Sequence, residues 1–282
     1  GGNVAGLRGG MNTLAEALVE DLKQREVKLV LGYDVLAVDR DPRRPGWMVL
    51  QRQPEFGDKS AIARGELLVL ASDGPTAVRL LGAQSREISE FQPKLGPQIA
   101  LATLVVDKPE LDAAPRGTGI LVSEGVPHVR AKALTHVSAK WGWVGESLPD
   151  GRHVLRLSYG RVDSSGRTAS PELQLKDDQL LTLAMRDASH LLGVELPHSC
   201  LIDGDVVRWE QAMARPSAGH AEKVAAFRQA VAQMQDVAAV GSWLSGTGLV
   251  AVVADTRREI SRVLQEHGVT EPPPAEAAAH GA

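Results

Sequence analysis

The beginning of the chain has the pattern of an amphipathic helix. Leu14, Leu18 and Leu22 recur every four residues and therefore fall on one helical face, with polar positions between them. Thr13 and Glu16 stand three positions apart at the start of this pattern, as the two partners of a capping box do. The sequence therefore predicts a helix that begins at Thr13.

Short apolar and β-branched runs follow this helix, and each has the length of a strand. The predicted strands are residues 27–31, 35–38, 47–51 and 66–71. Residues 76–81 then show a helical pattern that ends at Gly82. A helix, several strands and a second helix in this order are typical of mixed α/β architecture.

The middle of the chain consists of strand-length segments separated by turns that contain Pro, Gly and Asp. These segments are residues 99–106, 119–123, 131–138 and 153–159. Because almost no helix lies between them, they predict a second, mostly antiparallel sheet. An amphipathic helix over residues 178–192 and a strand over residues 206–209 follow.

The last patterned part is a strand, a glycine-rich turn and a helix. The strand is predicted over residues 237–240, the turn over 241–248 and the helix over 249–267, where Gly268 ends it. Residues 271–282 are rich in Pro and Ala and predict a disordered tail.

The glycine-rich turn is the most informative candidate site. Gly246 and Gly248 keep side chains away from the start of the helix, whose first turn has unpaired N–H groups and the positive end of the helix dipole. An anion or an electron-rich ligand group is favoured there. The turn lacks the Gly-Lys-Ser/Thr of a P-loop, and no strand with an acidic residue follows it as in a dinucleotide fingerprint. A tight packing turn between strand and helix is the alternative explanation.

Composition narrows the class of protein. The 282 residues are 43% hydrophobic and 23% charged, which excludes wholesale disorder, and the formal net charge of −4 gives no general attraction to nucleic acid or anionic lipid. The single Cys200 excludes an internal disulfide and favours a reducing compartment. No apolar run approaches the roughly 20 residues of a membrane-spanning helix.

The sequence begins at Gly1 without an initiator Met, so we expect a processed product or a fragment.

The remaining polar and aromatic residues are weaker candidates. The eight histidines include no pair at helical ligand spacing with a carboxylate between them, so we expect no metal site. Ser158 and Ser242 lack the context of a nucleophile elbow, which argues against a hydrolase. Trp141 and Trp143 fall on one face of a predicted extended segment, where they either stack on a flat ligand or pack in the core.

Several stretches together resemble one family, in the same order. Residues 7–14 (Leu-Arg-Gly-Gly-Met-Asn-Thr-Leu) are similar to a motif of the flavin-dependent protoporphyrinogen and coproporphyrinogen oxidases, which are part of the flavin amine-oxidase superfamily. Residues 131–141 resemble the Lys-Ala…Thr…Ser…Lys-Trp stretch of these enzymes. The other similar stretches are residues 34–38, 207–209, 219–220 and 246–249.

The resemblance also has gaps. The family begins with a βαβ unit that carries a Gly-rich pyrophosphate loop, followed by a helical segment that faces substrate and membrane, whereas the similarity here starts at Gly9 and Gly10. The family's Pro-Gln-Tyr stands here as Ala-Arg-Pro at residues 214–216. The resemblance therefore implies a C-terminal part that lacks the N-terminal half of the FAD site and does not hold FAD tightly by itself.

The resemblance implies FAD as the cofactor, which takes a hydride from a porphyrinogen and is reoxidised by oxygen. It implies flavin contacts for Val35, Trp209, Thr247, Gly248 and Leu249, and it assigns no catalytic acid, base or nucleophile. The implied activity is the oxidation of coproporphyrinogen III or protoporphyrinogen IX to the porphyrin in haem biosynthesis. The choice between these two substrates stays open.

The implied fold is mixed α/β, with the C-terminal remainder of a Rossmann-like FAD-binding domain and a mostly antiparallel substrate-binding sheet. We predict a partial FAD-binding domain over residues 1–92 and 206–270, a β-rich domain over 93–205 and the tail over 271–282. A partner chain or an upstream segment is expected to supply the other half of the FAD site, in a cytoplasmic protein that is peripheral to the membrane at most through that segment. The alternatives are a porphyrin-binding relic that has lost FAD and a protein-interaction domain.

Overall fold

The computed structural model describes residues 5–54, 59–93, 96–162, 170–210 and 219–269. The helices are α1 (Asn12–Gln24), α2 (Gly74–Leu81), α3 (Arg86–Ser89), α4 (Val137–Lys140), α5 (Gly142–Gly145), α6 (Asp177–Leu192), α7 (His220–Gln233), α8 (Ser242–Ser245) and α9 (Leu249–Glu266). The strands are β1 (Asp34–Arg40), β2 (Trp47–Gln53), β3 (Lys59–Gly65), β4 (Leu68–Leu70), β5 (Ile99–Asp107), β6 (Gly119–Leu121), β7 (Ala133–His136), β8 (Arg152–Tyr159), β9 (Leu201–Trp209) and β10 (Val237–Ala239). The predicted mixed α/β class with antiparallel sheets is confirmed.

The chain forms two compact units, and each combines two separate segments. The β-rich unit joins Gly1–Leu29 to Gly96–Ala212, and the mixed unit joins Val30–Leu95 to Met213–Ala282. The assignment of an FAD-binding and a substrate-binding domain stays a prediction. The Ala-Arg-Pro stretch at residues 214–216 and the predicted tail lie outside the described residues.

The β-rich unit is built on a five-stranded antiparallel sheet with the order β6-β7-β8-β5-β9. Burial alternates along β5, an inner strand of this sheet, so that Ala100, Ala102 and Leu104 are fully buried while the residues between them are not. This period of two places one face of the sheet in the core. The helix α6 packs against that face through Leu180 and Ala184, both fully buried.

The mixed unit holds an antiparallel β1-β2-β3 sheet and a parallel pair, β4 with β10. Three aromatic rings lie in its core: Phe227 is 5.0 Å from both Phe91 and Trp243, measured between ring centroids. The indole N–H of Trp243 donates to the carbonyl oxygen of Ser72 at 3.1 Å. This hydrogen bond fixes α8, the short helix after β10, to the loop that follows β4.

The N-terminal predictions are partly wrong. Helix α1 exists, but it begins at Asn12 without a side-chain cap, because the Thr13 hydroxyl donates to the Gly10 carbonyl at 2.8 Å and is not engaged as the capping acceptor. No residue of α1 is buried. Residues 27–31 form no strand, since no strand of the described chain pairs with them, and Leu31 is 84% exposed.

The structure also differs from the sequence predictions at strands β3 and β4, around Trp141 and Trp143, and at helices α3 and α7. The predicted strand over residues 66–71 shortens to β4, and the polar strand β3, which precedes it, was not predicted. The segment that carries Trp141 and Trp143 is helical and not extended. The N–H of Trp141 donates to the carbonyl of Val137, and the N–H of Val144 donates to the carbonyl of Trp141. These hydrogen bonds belong to the short helices α4 and α5. Helices α3 and α7 were also not predicted.

No helix among the described residues combines the length and the apolar character that crossing a bilayer requires.

A network of buried charges anchors α9 to α7 within the mixed unit. The Asp255 carboxylate, almost fully buried, lies 2.6 Å from the Arg228 guanidinium and also pairs with Arg258. Arg228 is also 2.8 Å from Glu259, and Arg262 donates to the Val237 carbonyl at 3.1 Å. Because buried charges need partners, α9 is held in one position relative to α7 and β10.

A second buried polar network lies in the β-rich unit. His136 is 1% exposed, its Nε2 lies 3.0 Å from Nδ1 of His153, and Nε2 of His153 lies 3.0 Å from an oxygen of Asp112. A carboxylate only accepts, so with both rings neutral His153 donates to Asp112 and accepts from His136. Nδ1 of His136 is then a buried acceptor with no described partner. Burial, and then the neighbouring His153, lower the pKa of His136 from 6.5 to about 4.

We expect Asp255→Ala to lower the free energy of unfolding by about 2 to 4 kcal/mol, since Arg228 would lose a partner in a buried environment. Urea denaturation followed by tryptophan fluorescence measures this loss. Asp34→Ala is the matched control in the same unit: its exposed ion pair with Arg52, at 3.4 Å, is of the kind that contributes little. Equal losses in the two variants would contradict the anchoring role of Asp255.

We expect the His136 network to weaken the protein in mild acid. Because the pKa of folded His136 lies below 6.5, the unfolded chain takes up the proton first as the pH falls. The stabilisation is therefore complete above about pH 6.5 and is lost as the pH falls towards 4. We expect His136→Gln, which keeps a donor for His153, to reduce the loss of unfolding free energy over this range by about 1 to 2 kcal/mol. The exposed His198→Gln is the control, and an equal change there would refute the assignment.

Candidate cofactor-binding site

The candidate site is the turn between β10 and α9 in the mixed unit. Strand β10 is fully buried beside β4, and the N–H of Val240 bonds to the Leu70 carbonyl at 2.9 Å. Beyond it, Gly241 adopts a φ of +140°, and the short helix α8 follows, with Trp243 locked in the aromatic core. The turn therefore starts from a rigid base. The sequence predicted the glycine-rich turn but not this support.

Two glycines leave the start of α9 open. Gly246 and Gly248 have φ values of +89° and +110°, a region that other residues avoid. A Cβ atom added at either position would meet no atom of the described residues within 4 Å, apart from those of its own neighbours in the chain. Thr247, between them, is exposed. A flat ligand could therefore approach this backbone without a steric conflict.

The first turn of α9 presents backbone donors at the same place. The helix has no side-chain cap, and its first internal hydrogen bond runs from the N–H of Val252 to the carbonyl of Gly248 at 3.1 Å. The N–H groups of Leu249, Val250 and Ala251 precede that bond and have no partner earlier in the helix. Leu249 is 56% exposed and Val250 86%. The N-terminus of α9 thus combines apolar side chains with a positive backbone end.

Val35 occupies an irregular position of β1. The register with β2 shifts between Val35 and Ala37, which marks a bulge, and bulges commonly redirect side chains near binding sites. The Arg79 guanidinium donates to the carbonyls of Val35 at 3.0 Å and Leu36 at 2.8 Å, so this irregular backbone is held in place. The Val35 side chain is 37% exposed.

Trp209 belongs to the β-rich unit, where it ends β9 opposite Ile99. It is 53% exposed and lies on the face of the sheet away from the buried side chains of β5. Val207 and Leu101, a directly paired couple, share this face. The predicted flavin contacts are therefore divided, with Val35, Thr247, Gly248 and Leu249 in the mixed unit and Trp209 in the other.

The fold assembles two polar groups that were not predicted. One is the His136–His153–Asp112 network, and the other is a cavity of the β-rich unit that arginine side chains line. Their members lie far apart in sequence, so no local spacing could reveal them. In the described ranges, no three His, Cys, Asp or Glu side chains gather as a metal site would require.

Comparison with curated proteins identifies relatives over almost the whole chain. Coproporphyrinogen III oxidase from Mycobacterium tuberculosis is 31% identical over 268 residues, which are 94% of this chain and 52% of that protein. The protein of the same name from Mycobacterium leprae is 29% identical over 260 residues, 89% of this chain and 50% of the relative. The chain thus spans about half the length of the curated relatives it matches. No protein-family model matches the sequence.

Solved structures agree on the fold. A protein from Exiguobacterium sp. 255-15, provisionally assigned as a protoporphyrinogen oxidase, superposes with a TM-score of 0.68 at 22% identity, over 92% of this chain and 52% of its own. Reduced UDP-galactopyranose mutase gives 0.65 at 12% identity, over 94% of this chain and 53% of its own. The chain is thus a homologue, spanning about half their length, of the proteins named coproporphyrinogen III oxidase, and the family resemblance carried by its motifs is confirmed.

Proposed function

We propose that this chain forms the flavin-contacting turn and the substrate-facing sheet of an FAD-dependent oxidase, which converts a porphyrinogen to the porphyrin with oxygen in haem biosynthesis. The observation that carries the proposal is the open glycine turn at the N-terminus of α9, in a chain related to coproporphyrinogen III oxidases over 94% of its length. The relatives' name favours coproporphyrinogen III over protoporphyrinogen IX as the substrate.

The residues of the turn fit a flavin ring. Gly246 and Gly248 leave space on the backbone, and the N–H groups of the first turn of α9 suit the electron-rich edge of an isoalloxazine. Bound FAD would supply the redox chemistry, taking a hydride from the substrate and passing electrons to oxygen. The chain's part is to orient this cofactor through Thr247, Gly248 and Leu249 and to shield it from water with apolar side chains such as Val35.

The open face of the five-stranded sheet supports a substrate-facing role. Trp209, Val207 and Leu101 give it an apolar end, and Arg156, paired with Thr103 on β5, adds a positive charge beyond it. A porphyrinogen has an apolar macrocycle with acidic substituents, and this combination of surfaces suits such a molecule.

Exposed apolar residues favour a further segment or chain that completes the protein. Helix α1 leaves Leu18 58% exposed, and the β-branched run at residues 27–31 has no partner strand in the described chain. Such a surface is typical of an interface. We propose that an upstream segment or a separate chain covers it and supplies the pyrophosphate-binding half of the FAD site, in a cytoplasmic protein.

The alternative function is a porphyrin-binding or protein-interaction domain without FAD. The Ala-Arg-Pro at residues 214–216, where the family has Pro-Gln-Tyr, favours the porphyrin-binding relic over the protein-interaction domain. It differs from the oxidase in a measurable way, since it predicts porphyrin binding with no flavin under any condition.

The absorbance spectrum of the purified chain tests the proposal. We expect flavin bands to be retained with added FAD only when an N-terminal half, taken from the Mycobacterium tuberculosis relative, is co-expressed and co-purifies. Flavin bound by the chain alone would refute the need for that half. Porphyrin binding with no flavin in either preparation would replace the oxidase with the relic.

We expect Gly248→Val to weaken FAD binding at least tenfold in the co-expressed complex, because a branched side chain would occupy the open space and disfavour a φ of +110°. Fluorescence titration of FAD measures the affinity. Gly117→Val is the matched control, since Gly117 also has a positive φ, of +63°, and no atom near an added Cβ, but lies in the β-rich unit. Unchanged FAD affinity in Gly248→Val would remove this turn from the flavin site.

A further inference from the structure

A cavity of about 650 Å³ opens in the β-rich unit, between the loop that precedes β7 and the helix α6. Its volume lies in the range of small-molecule sites. Three arginines line it: Arg130 from the loop, Arg161 after β8 and Arg186 from α6. Glu172 contributes a carboxylate to the lining, so the side chains of the wall keep an excess of positive charge.

Arg161 is held in a fixed position by backbone oxygens. Its Nη2 donates to the carbonyls of Val122 at 2.8 Å and Ala131 at 3.2 Å. The described hydrogen bonds of this guanidinium all leave from Nη2, so Nε and Nη1 keep their donors for another acceptor. Carbonyl oxygens do not neutralise the guanidinium charge. Arg161 is therefore a preorganised cation, which lowers the entropy lost when an anion binds.

The other two arginines have carboxylates nearby but outside hydrogen-bonding distance. Arg130 Nε lies 3.7 Å from Glu172, and Arg186 Nη2 lies 3.8 Å from Asp187. Their side chains are 66% and 57% exposed. At these separations the guanidinium donors remain free to form charge-assisted hydrogen bonds with a bound anion.

Asp187 stabilises the wall of the cavity from behind. It is fully buried, and one carboxylate oxygen accepts from the N–H groups of Arg130 at 2.9 Å and Ala131 at 2.8 Å. The same oxygen accepts from the Tyr159 hydroxyl at 3.3 Å, and burial together with this carboxylate raises the pKa of Tyr159. The loop backbone that bears Arg130 is thus fixed to α6 and β8.

Two histidines complete the lining. His128 adopts a left-handed backbone with a φ of +65°, an uncommon conformation that is found more often at binding sites than elsewhere. Nδ1 of His190 donates to the Arg186 carbonyl at 2.8 Å, so its Nε2 remains as the second polar atom of the ring. Apolar Val126, Val129 and Pro171 lie between these polar groups.

We propose that this cavity binds a small organic anion that carries two or more carboxylates. Planar guanidinium groups match carboxylates through paired hydrogen bonds, and three of them from separate elements suit more than one carboxylate on one molecule. The apolar residues between the arginines suit a carbon skeleton and favour an organic polycarboxylate over inorganic phosphate. The site lies within the β-rich unit alone, and it does not depend on the proposed flavin chemistry.

Isothermal titration of the full chain with citrate, and separately with inorganic phosphate, tests this site at constant ionic strength, since salt screens such contacts. We expect citrate to bind with millimolar or better affinity and more tightly than phosphate. Arg186→Gln is expected to weaken citrate binding about tenfold, the loss typical of one charge-assisted contact.

Two further variants complete the test. Arg161→Gln should also weaken citrate binding about tenfold or more, and because Arg161 holds backbone carbonyls, circular dichroism checks that this variant remains folded. Arg116→Gln, an exposed loop arginine of the same unit, should bind citrate as the parent chain does. The proposal is overturned if citrate does not bind, if phosphate binds more tightly, or if Arg186→Gln binds citrate as well as Arg116→Gln.

Discussion

The hydrogen bond from the Trp243 indole to the Ser72 carbonyl joins positions 171 residues apart, and the candidate site depends on it. It places α8 against the loop after β4, while the rings of Phe91 and Phe227 pack against the indole. Among the described hydrogen bonds, Gly246 bonds only within its own turn, through its N–H to Ser242 and through its carbonyl to the Ser245 hydroxyl, so the position of this turn depends on the longer-range contact of Trp243. An open, permissive backbone can present a defined surface only because the segment before it is rigid.

The anchoring of α9 continues this division of roles. Its first turn carries exposed apolar residues and free backbone donors, whereas Asp255, one turn and a half later, is buried among arginines. The start of the helix is thus open, whereas the turns that follow are held by buried ion pairs. Such an arrangement would suit the proposed flavin, which has to be held in a fixed orientation.

Particular elements show which features the sequence could predict. Helix α6 was predicted because its leucines and alanines both follow the helical period and pack on the sheet of their own unit. Residues 27–31 have the composition of a strand but pair with no strand in the part of the chain that the structure describes. The exposed, polar β3 becomes a strand because β2 offers it a complete hydrogen-bonding edge. Strand formation requires a partner that local composition does not encode.

The same limit applies to the sites. Positive-φ glycines before a helix leave a local signature, so the turn around Gly248 could be found from the sequence, while its open surroundings could not. The arginine-lined cavity has no local signature at all, since Asp187 fixes the backbone of Arg130 from 57 positions away. The ligand of such a cavity is determined by residues that only the tertiary structure brings together, so a comparison of sequence motifs does not detect the cavity.

The two-segment construction of the mixed unit also constrains how the chain acquires its structure. Strand β4 is synthesised before the five-stranded sheet but pairs with β10, whose residues are made about 170 positions later, after every strand of that sheet. During synthesis the β-rich unit has all its strands first, while Leu68 and Leu70 still lack their neighbours. Contacts of such long sequence separation form slowly, so the nascent first segment passes through a period of exposed apolar surface in which chaperone capture or aggregation competes with folding.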